Sequence, residues 1–212
     1  STLQSELLSI QAGKLVASSQ DHHTFLRRVT SKEAGIGIDK PRDMESVDGL
    51  CTDEPGVTLV TYYADCVPLY FYDPEHRAAA LAHAGWRGTA AEIGEKMVKK
   101  MAVEFGSRPK DLIAAIGPSI GPCCYEVDAP VAGQFLSMEE LEPCGFVTEK
   151  GGGKYMLDLW ECNRRILLTA GLLPEHVSVG RVCTKCHSDL LYSHRVMGAN
   201  RGSLAAMICL LE

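Results

Sequence analysis

Residues 57–89 read VTLVTYYADCVPLYFYDPEHRAAALAHAGWRGT, three apolar runs separated by short turn segments. Val57–Tyr63 and Val67–Tyr72 are rich in β-branched and aromatic side chains. Arg77–Ala82 is alanine-rich but bounded by turn chemistry, so all three are expected to be strands. Their near-continuous apolar character suggests burial on both faces. Thr89-Ala90-Ala91-Glu92 then has the pattern of a capping box, which predicts a helix starting at Thr89. Ala90, Ile93, Met97, Met101 and Phe105 form one apolar stripe along it, and Gly106 can cap its end.

Working outward, Asp158 and Gly171 bracket a second expected helix, Leu159 to Ala170. Leu3, Leu7 and Leu8 have helical spacing within residues 2–10. Lys14–Ala17, Phe25–Val29, Leu112–Ile116, Val177–Val182 and Leu204–Leu211 read as further strands. Ser31 to Met44 is a charged stretch containing glycine and proline, and Gly151-Gly152-Gly153 suits a loop or hairpin tip. Strands and helices alternate loosely, so the expected class is mixed α and β in a single domain.

The chain has 212 residues, 46% of them hydrophobic and 23% charged, which is globular composition. Its net charge is −6. Divided at Gly106, the first part carries 11 basic and 15 acidic residues and the second 10 and 12, so neither part has a nucleic-acid footprint. No apolar run approaches the roughly 18 residues of a membrane span. The opening Ser1-Thr2-Leu3-Gln4 lacks a basic-then-apolar leader pattern, and nine cysteines are an odd number for a disulfide framework. The expected location is therefore cytoplasmic, with most cysteines acting as small buried hydrophobes.

Three segments can carry chemistry. Cys66, in Ala64-Asp65-Cys66-Val67-Pro68, and His83, in His83-Ala84-Gly85-Trp86-Arg87-Gly88, each sit where an apolar run meets a turn. Reactive side chains are often held at such places. Arg87 precedes the expected helix, where a forked cation and free amides suit an anion such as phosphate. The third segment is Gln20-Asp21-His22-His23. One His, one Cys and another His can make a three-ligand metal site with an open fourth position. A buried cysteine, a core histidine, a surface arginine and two solvated histidines are the plainer reading of the same residues.

Gln20-x-His22, Asp48-Gly49-Leu50, Ala64-Asp65-Cys66-x-Pro68, His83-Ala84-Gly85-Trp86-Arg87-Gly88 and Ile116-Gly117-Pro118-Ser119-Ile120-Gly121-Pro122 together resemble one family. It is the bacterial laccase-domain, YfiH-like family, described as polyphenol oxidases and now regarded as purine nucleoside phosphorylases. The likeness runs from about Gln20 to the C-terminus, through Asp158-Leu159, Cys183-Thr184 and Ser193-His194-Arg195.

The resemblance implies an α-β-β-α sandwich with zinc in a surface pocket, held by His22, Cys66 and His83. The Gln two residues before it assigns this role to His22 rather than His23. It also implies phosphorolysis of adenosine, inosine and methylthioadenosine, and deamination of adenosine. Purine nucleoside and phosphate are then the expected partners, with the protein a monomer or homodimer. Arg87 is expected to hold phosphate, Asp48 or Asp65 to orient ligands or nucleoside, and Gln20 to bind substrate, while His22, Cys66 and His83 are expected to be catalytic as well as metal ligands. Two features depart from the family pattern. Most members carry several dozen more N-terminal residues, including a Ser-x-Arg-x-Gly-Gly-type segment. Many also have a Gly-Arg pair before the last strand, where this chain has Arg201-Gly202-Ser203.

Rival readings use the same residues. His, Cys and His is also a blue-copper equatorial set, with Met44, Met97 or Met101 as an axial candidate. A multicopper oxidase needs paired histidines, and the chain has no His-x-His. Cys66 with His83 as base can also read as a hydrolase pair. Cys183-Thr184-Lys185-Cys186-His187 fits the c-type haem attachment pattern. The same Cys-x-x-Cys could be half a zinc site, but Cys123 and Cys124 are adjacent and do not make the usual second pair. Packed or loop cysteines are the favoured expectation there.

Overall fold

The computed structural model describes residues 14–43 and 45–211. The helix expected over residues 2–10 lies outside them. In chain order come strands β1 (Leu15–Ala17), β2 (Phe25–Arg28), β3 (Val47–Thr52), β4 (Thr58–Tyr63), β5 (Val67–Asp73) and β6 (Ala78–Ala84), then helices α1 (Trp86–Ala90) and α2 (Ile93–Phe105). There follow β7 (Ile113–Ile116), β8 (Glu126–Asp128), α3 (Ala129–Leu136), β9 (Val147–Gly151), β10 (Lys154–Leu157), α4 (Leu159–Thr169), β11 (Val177–Val179), α5 (His194–Met197) and β12 (Leu204–Cys209).

The strands form a six-stranded sheet in the order β11-β7-β5-β6-β3-β2, a three-stranded sheet β1-β4-β12, and a small sheet β8-β10-β9. Alternation along β6 explains the layering. Ala78, Ala80, Ala82 and Ala84 pack in one core with Ile93, Met97 and Met101 of α2 and Ile166 and Leu167 of α4. Leu81 points the other way, into a second core with Val16, Leu50, Leu59, Tyr63 and Ala206. The large sheet therefore has helices on one face and the three-stranded sheet on the other. That is why β5 and β6 show no polar face in sequence. The class is mixed α and β in one domain, as expected. No described helix is long and apolar enough to cross a membrane.

One helix start needs correction. The chain turns helical at Trp86, after Gly85, and Thr89 lies inside this first short helix. The Thr89 hydroxyl accepts from Asn163 Nδ2 at 3.0 Å and donates to the Ala84 carbonyl at 3.4 Å. Glu92 is left-handed (φ 55°) and gives no side-chain cap to α2, which starts at Ile93. A buried tertiary contact has taken the hydroxyl that the local cap would have used. The other helix agrees to within a residue: Asp158 caps α4 by accepting from the Trp160 and Glu161 amides. Gly151, Gly152 and Gly153, all at positive φ, form the tip between β9 and β10.

Candidate metal centre

Asp48 is the fixed point of the site. It lies in β3 and is fully buried. Its Oδ1 is 2.8 Å from His83 Nδ1 across the β3–β6 pair. Its two oxygens also accept the backbone amides of Asp21, His22 and His23 at 3.0–3.3 Å. One carboxylate thus ties the backbone of the 21–23 segment to β3 and orients His83. Gln20 completes the anchor by pairing its side-chain amide with both backbone groups of Tyr62, at 2.7 and 3.0 Å. His22 is consequently held at φ 70°, in the left-handed region that a non-glycine residue seldom adopts.

This geometry brings His22, Cys66 and His83 together, with donor atoms all within 4.8 Å of one another. His22 Nε2 lies 3.9 Å from Cys66 Sγ, and the two imidazoles meet edge to face at 4.9 Å. A tetrahedral zinc about 2.0 Å from nitrogen and 2.3 Å from sulfur would set that N···S edge near 3.5 Å, so the donor set fits. With Nδ1 engaged by Asp48, His83 has Nε2 available, the carboxylate–histidine arrangement common behind metal ligands. Gly85 makes room for the group: a Cβ there would meet Cys66 Sγ and His22 Cδ2, both at 3.0 Å. His23 is exposed and pairs with Asp21, so it stands apart.

Charge follows from the grouping. Burial pushes the Cys66 thiol up, but hydrogen bonds with His22 and His83 outweigh it and bring the group down to about 6. Burial pulls His83 down, while Asp48 and Cys66 raise it to about 9. The bond to Cys66 raises His22 against its own desolvation. The metal-free trio therefore favours a Cys66 thiolate beside a protonated His83.

The trio borders a cavity of about 490 Å³. Arg42, Arg87, Arg195 and Arg201 also line it, and among the described residues none of the four forms an ion pair with a carboxylate. Three of them lie over aromatic rings: Arg87 over Trp86 at 4.2 Å, Arg195 over Tyr125 at 4.9 Å and Arg42 over Tyr62 at 5.2 Å. Arg87 is in the first turn of α1, which starts three residues before the expected helix.

Asp65 lines the same cavity, but its carboxylate is engaged elsewhere. It accepts the Thr184 hydroxyl at 2.6 Å and the Arg195 amide at 2.8 Å. Its carbonyl accepts the Ile120 amide at 2.9 Å. Asp65 therefore positions the 184–195 wall rather than the three donors. Sequence reasoning missed Arg42, Arg195, Arg201 and the ring faces as cavity components. The signal was present in Ser193-His194-Arg195 and Arg201-Gly202-Ser203, which carried only resemblance. Met97 and Met101 are fully buried in the α2 core and neither lines the cavity, which removes them as axial ligands, and Met44 lies outside the described residues. The expectation that Cys183 and Cys186 lack a second pair is also overturned. Cys123, Cys124, Cys183 and Cys186 form a second group of close donors.

A mixed α and β fold of three sheets with a thiolate–imidazole donor set beside an arginine-lined cavity defines a class of candidate metal-site proteins. The family model for multi-copper polyphenol oxidoreductase laccase matches residues 2–211, and the chain belongs to that family. Its resemblance to YfiH-like proteins is thereby borne out. A relative from Geobacillus stearothermophilus named purine nucleoside phosphorylase YlmD is 40% identical over 204 residues, 96% of this chain and 74% of its own length. The Bacillus subtilis protein of the same name is 37% identical over 198 residues, 93% and 71% of the two chains. The crystal structure of Bacillus licheniformis hypothetical protein YfiH superposes with a TM-score of 0.91 at 35% identity, covering 98% of this chain and 78% of that one.

Proposed function

We propose that this single-domain chain is a zinc-dependent purine nucleoside phosphorylase acting on adenosine, inosine and methylthioadenosine, with adenosine deaminase activity. The observation that carries this reading is the cavity itself. It joins a three-ligand donor set to four arginines that lack carboxylate partners among the described residues. The names of the two YlmD relatives support the same reaction.

His22, Cys66 and His83 would hold the zinc, which when bound supplies a Lewis acid and lowers the pKa of a bound water. The remaining chemistry belongs to the chain. Phosphorolysis breaks the bond between C1′ and the purine nitrogen and forms one between C1′ and a phosphate oxygen. It requires a phosphate dianion held close to the sugar. Arg87 is anchored on Trp86 with its guanidinium free for forked hydrogen bonds, and it is assigned to phosphate. Arg42, Arg195 and Arg201 add positive potential. Tyr62, Trp86 and Tyr125 give apolar surface for base and sugar. Asp48 acts as a positioning residue through His83 and the His22 backbone, and Asp65 positions Arg195. Deamination exchanges the purine C6 amino group for the oxygen of water, releasing ammonia, and needs no phosphate.

The test is chromatography of products from adenosine with zinc-loaded protein, with and without phosphate. Adenine that requires phosphate supports phosphorolysis, and inosine formed without phosphate supports deamination. A folded, zinc-loaded protein that gives neither product overturns the reading. One observation favours a second reading, a Cys-His hydrolase. Cys66, His83 and Asp48 also make a nucleophile–base–orienter sequence. Stoichiometric alkylation of Cys66 in zinc-loaded protein would support that alternative.

A further inference from the structure

Outside the site just described, four cysteines from two distant parts of the chain meet. Cys123 and Cys124 lie in the turn after β7, and Cys183 and Cys186 in the irregular segment after β11. Their sulfurs all lie within 4.8 Å of one another. Cys186 Sγ is 3.6 Å from Cys123 Sγ and 3.5 Å from Cys124 Sγ. We infer that these four thiols bind one zinc ion in a closed, structural tetrathiolate site that staples the 183–186 segment to the 121–125 turn.

The spacing is that of ligands around a single ion. Four sulfurs about 2.3 Å from a tetrahedral zinc lie about 3.8 Å apart. A disulfide would require about 2.05 Å between two sulfurs. Here one sulfur is shared as a near neighbour by two others, so the group converges on a point instead of dividing into pairs. A polynuclear iron–sulfur cluster would spread the thiolates over several irons and hold them farther apart. Soft thiolates in a four-fold set suit zinc.

The surroundings support a bound thiolate. The Gly121 amide donates to Cys183 Sγ at 3.2 Å, the kind of outer contact that orients a metal ligand. Gly121 permits this approach, because a Cβ there would lie 2.7 Å from Trp160 and 3.2 Å from the Cys183 Cβ. Cys183 is buried, whereas Cys123 and Cys186 are exposed, which gives an ion a path from solvent.

The fold also gives the staple a purpose. Between β11 and β12 the regular structure comprises the four-residue helix α5, one short 3-10 turn and an isolated bridge from Ser119 to Cys183. Yet this stretch delivers His194, Arg195 and Arg201 to the cavity. Four protein ligands leave no open coordination position, so this ion would organise the wall and take no part in chemistry.

The test is metal analysis of the full chain purified under reducing conditions with zinc. The wild type should hold two zinc ions, and Cys66→Ala should hold one. The double variant Cys123→Ser/Cys186→Ser, at exposed positions, should lose the other. Cobalt substitution checks the assignment without relying on that variant's folding. Cobalt-loaded Cys66→Ala should show the strong near-ultraviolet charge transfer and visible bands of a tetrathiolate. A wild type holding one zinc that Cys66→Ala abolishes would overturn the proposal. So would a Cys123–Cys186 or Cys124–Cys186 disulfide found by mass spectrometry of the native protein.

Discussion

Cys66 is the side chain whose chemistry is most altered by its neighbours. Its thiol ionises near 6 in the metal-free chain, so at neutral pH it is a thiolate, and it gains a proton only as pH falls through that value. Iodoacetamide labelling of chelated protein, mapped by peptide mass, should rise with a midpoint near pH 6 at Cys66. Cys51, pushed up to about 12 by burial, should stay unlabelled. A Cys66 midpoint near that of an ordinary thiol would contradict the grouping. Zinc should protect Cys66, because the thiolate is then a ligand. At Arg87, replacement by alanine should raise the phosphate KM roughly 10–100-fold, the equivalent of about 1.5–3 kcal/mol for a charge-assisted hydrogen bond. Steady-state kinetics at saturating nucleoside would check this, and an unchanged KM would remove Arg87 from phosphate binding. Gly85→Ala should weaken zinc about 10–100-fold, measured by chelator competition, since its methyl would press on two of the three donors.

Elements hold these residues through a few buried polar contacts. Asp48 in β3 serves the Gln20–His23 segment and β6 at once. Removing its carboxylate leaves three amides and a buried imidazole short of partners. Asp48→Ala should destabilise the fold by about 3–5 kcal/mol. Denaturant unfolding of the metal-free protein reads this directly, and a loss below about 1 kcal/mol would show that water replaces the carboxylate.

The same strand shows where sequence reading stopped. Val47–Thr52 carries Asp48 and Gly49 in its first half, residues that ordinarily mark turns, so β3 was not legible. Both are there for tertiary reasons: Asp48 anchors the site, and a Cβ on Gly49 would lie 2.6 Å from Leu26 and 2.8 Å from Met97. The strands β4, β5 and β6 and helix α4 were legible because apolar runs and the Asp158 cap agree with their surroundings. Thr89 misled because Asn163, 74 residues away, recruits its hydroxyl. His22, Cys66 and His83 were legible through resemblance, since spacing alone says nothing of convergence. The four-cysteine group was hidden for the same reason, as its halves are about 60 residues apart.

At the scale of the whole molecule, the chain is acidic, with a net charge of −6, while its cavity gathers four arginines. That contrast points to a small anionic reactant rather than to a polyanion spread over the surface. In the proposed function this cavity transfers a ribosyl group from the nucleoside to phosphate. Phosphorus NMR of zinc-loaded protein with inosine and inorganic phosphate tests it most directly. Ribose 1-phosphate should appear in step with hypoxanthine, and both should vanish in Cys66→Ala. Hypoxanthine accompanied by free ribose, or no ribose 1-phosphate from folded zinc-loaded protein, would rule out phosphorolysis in this cavity.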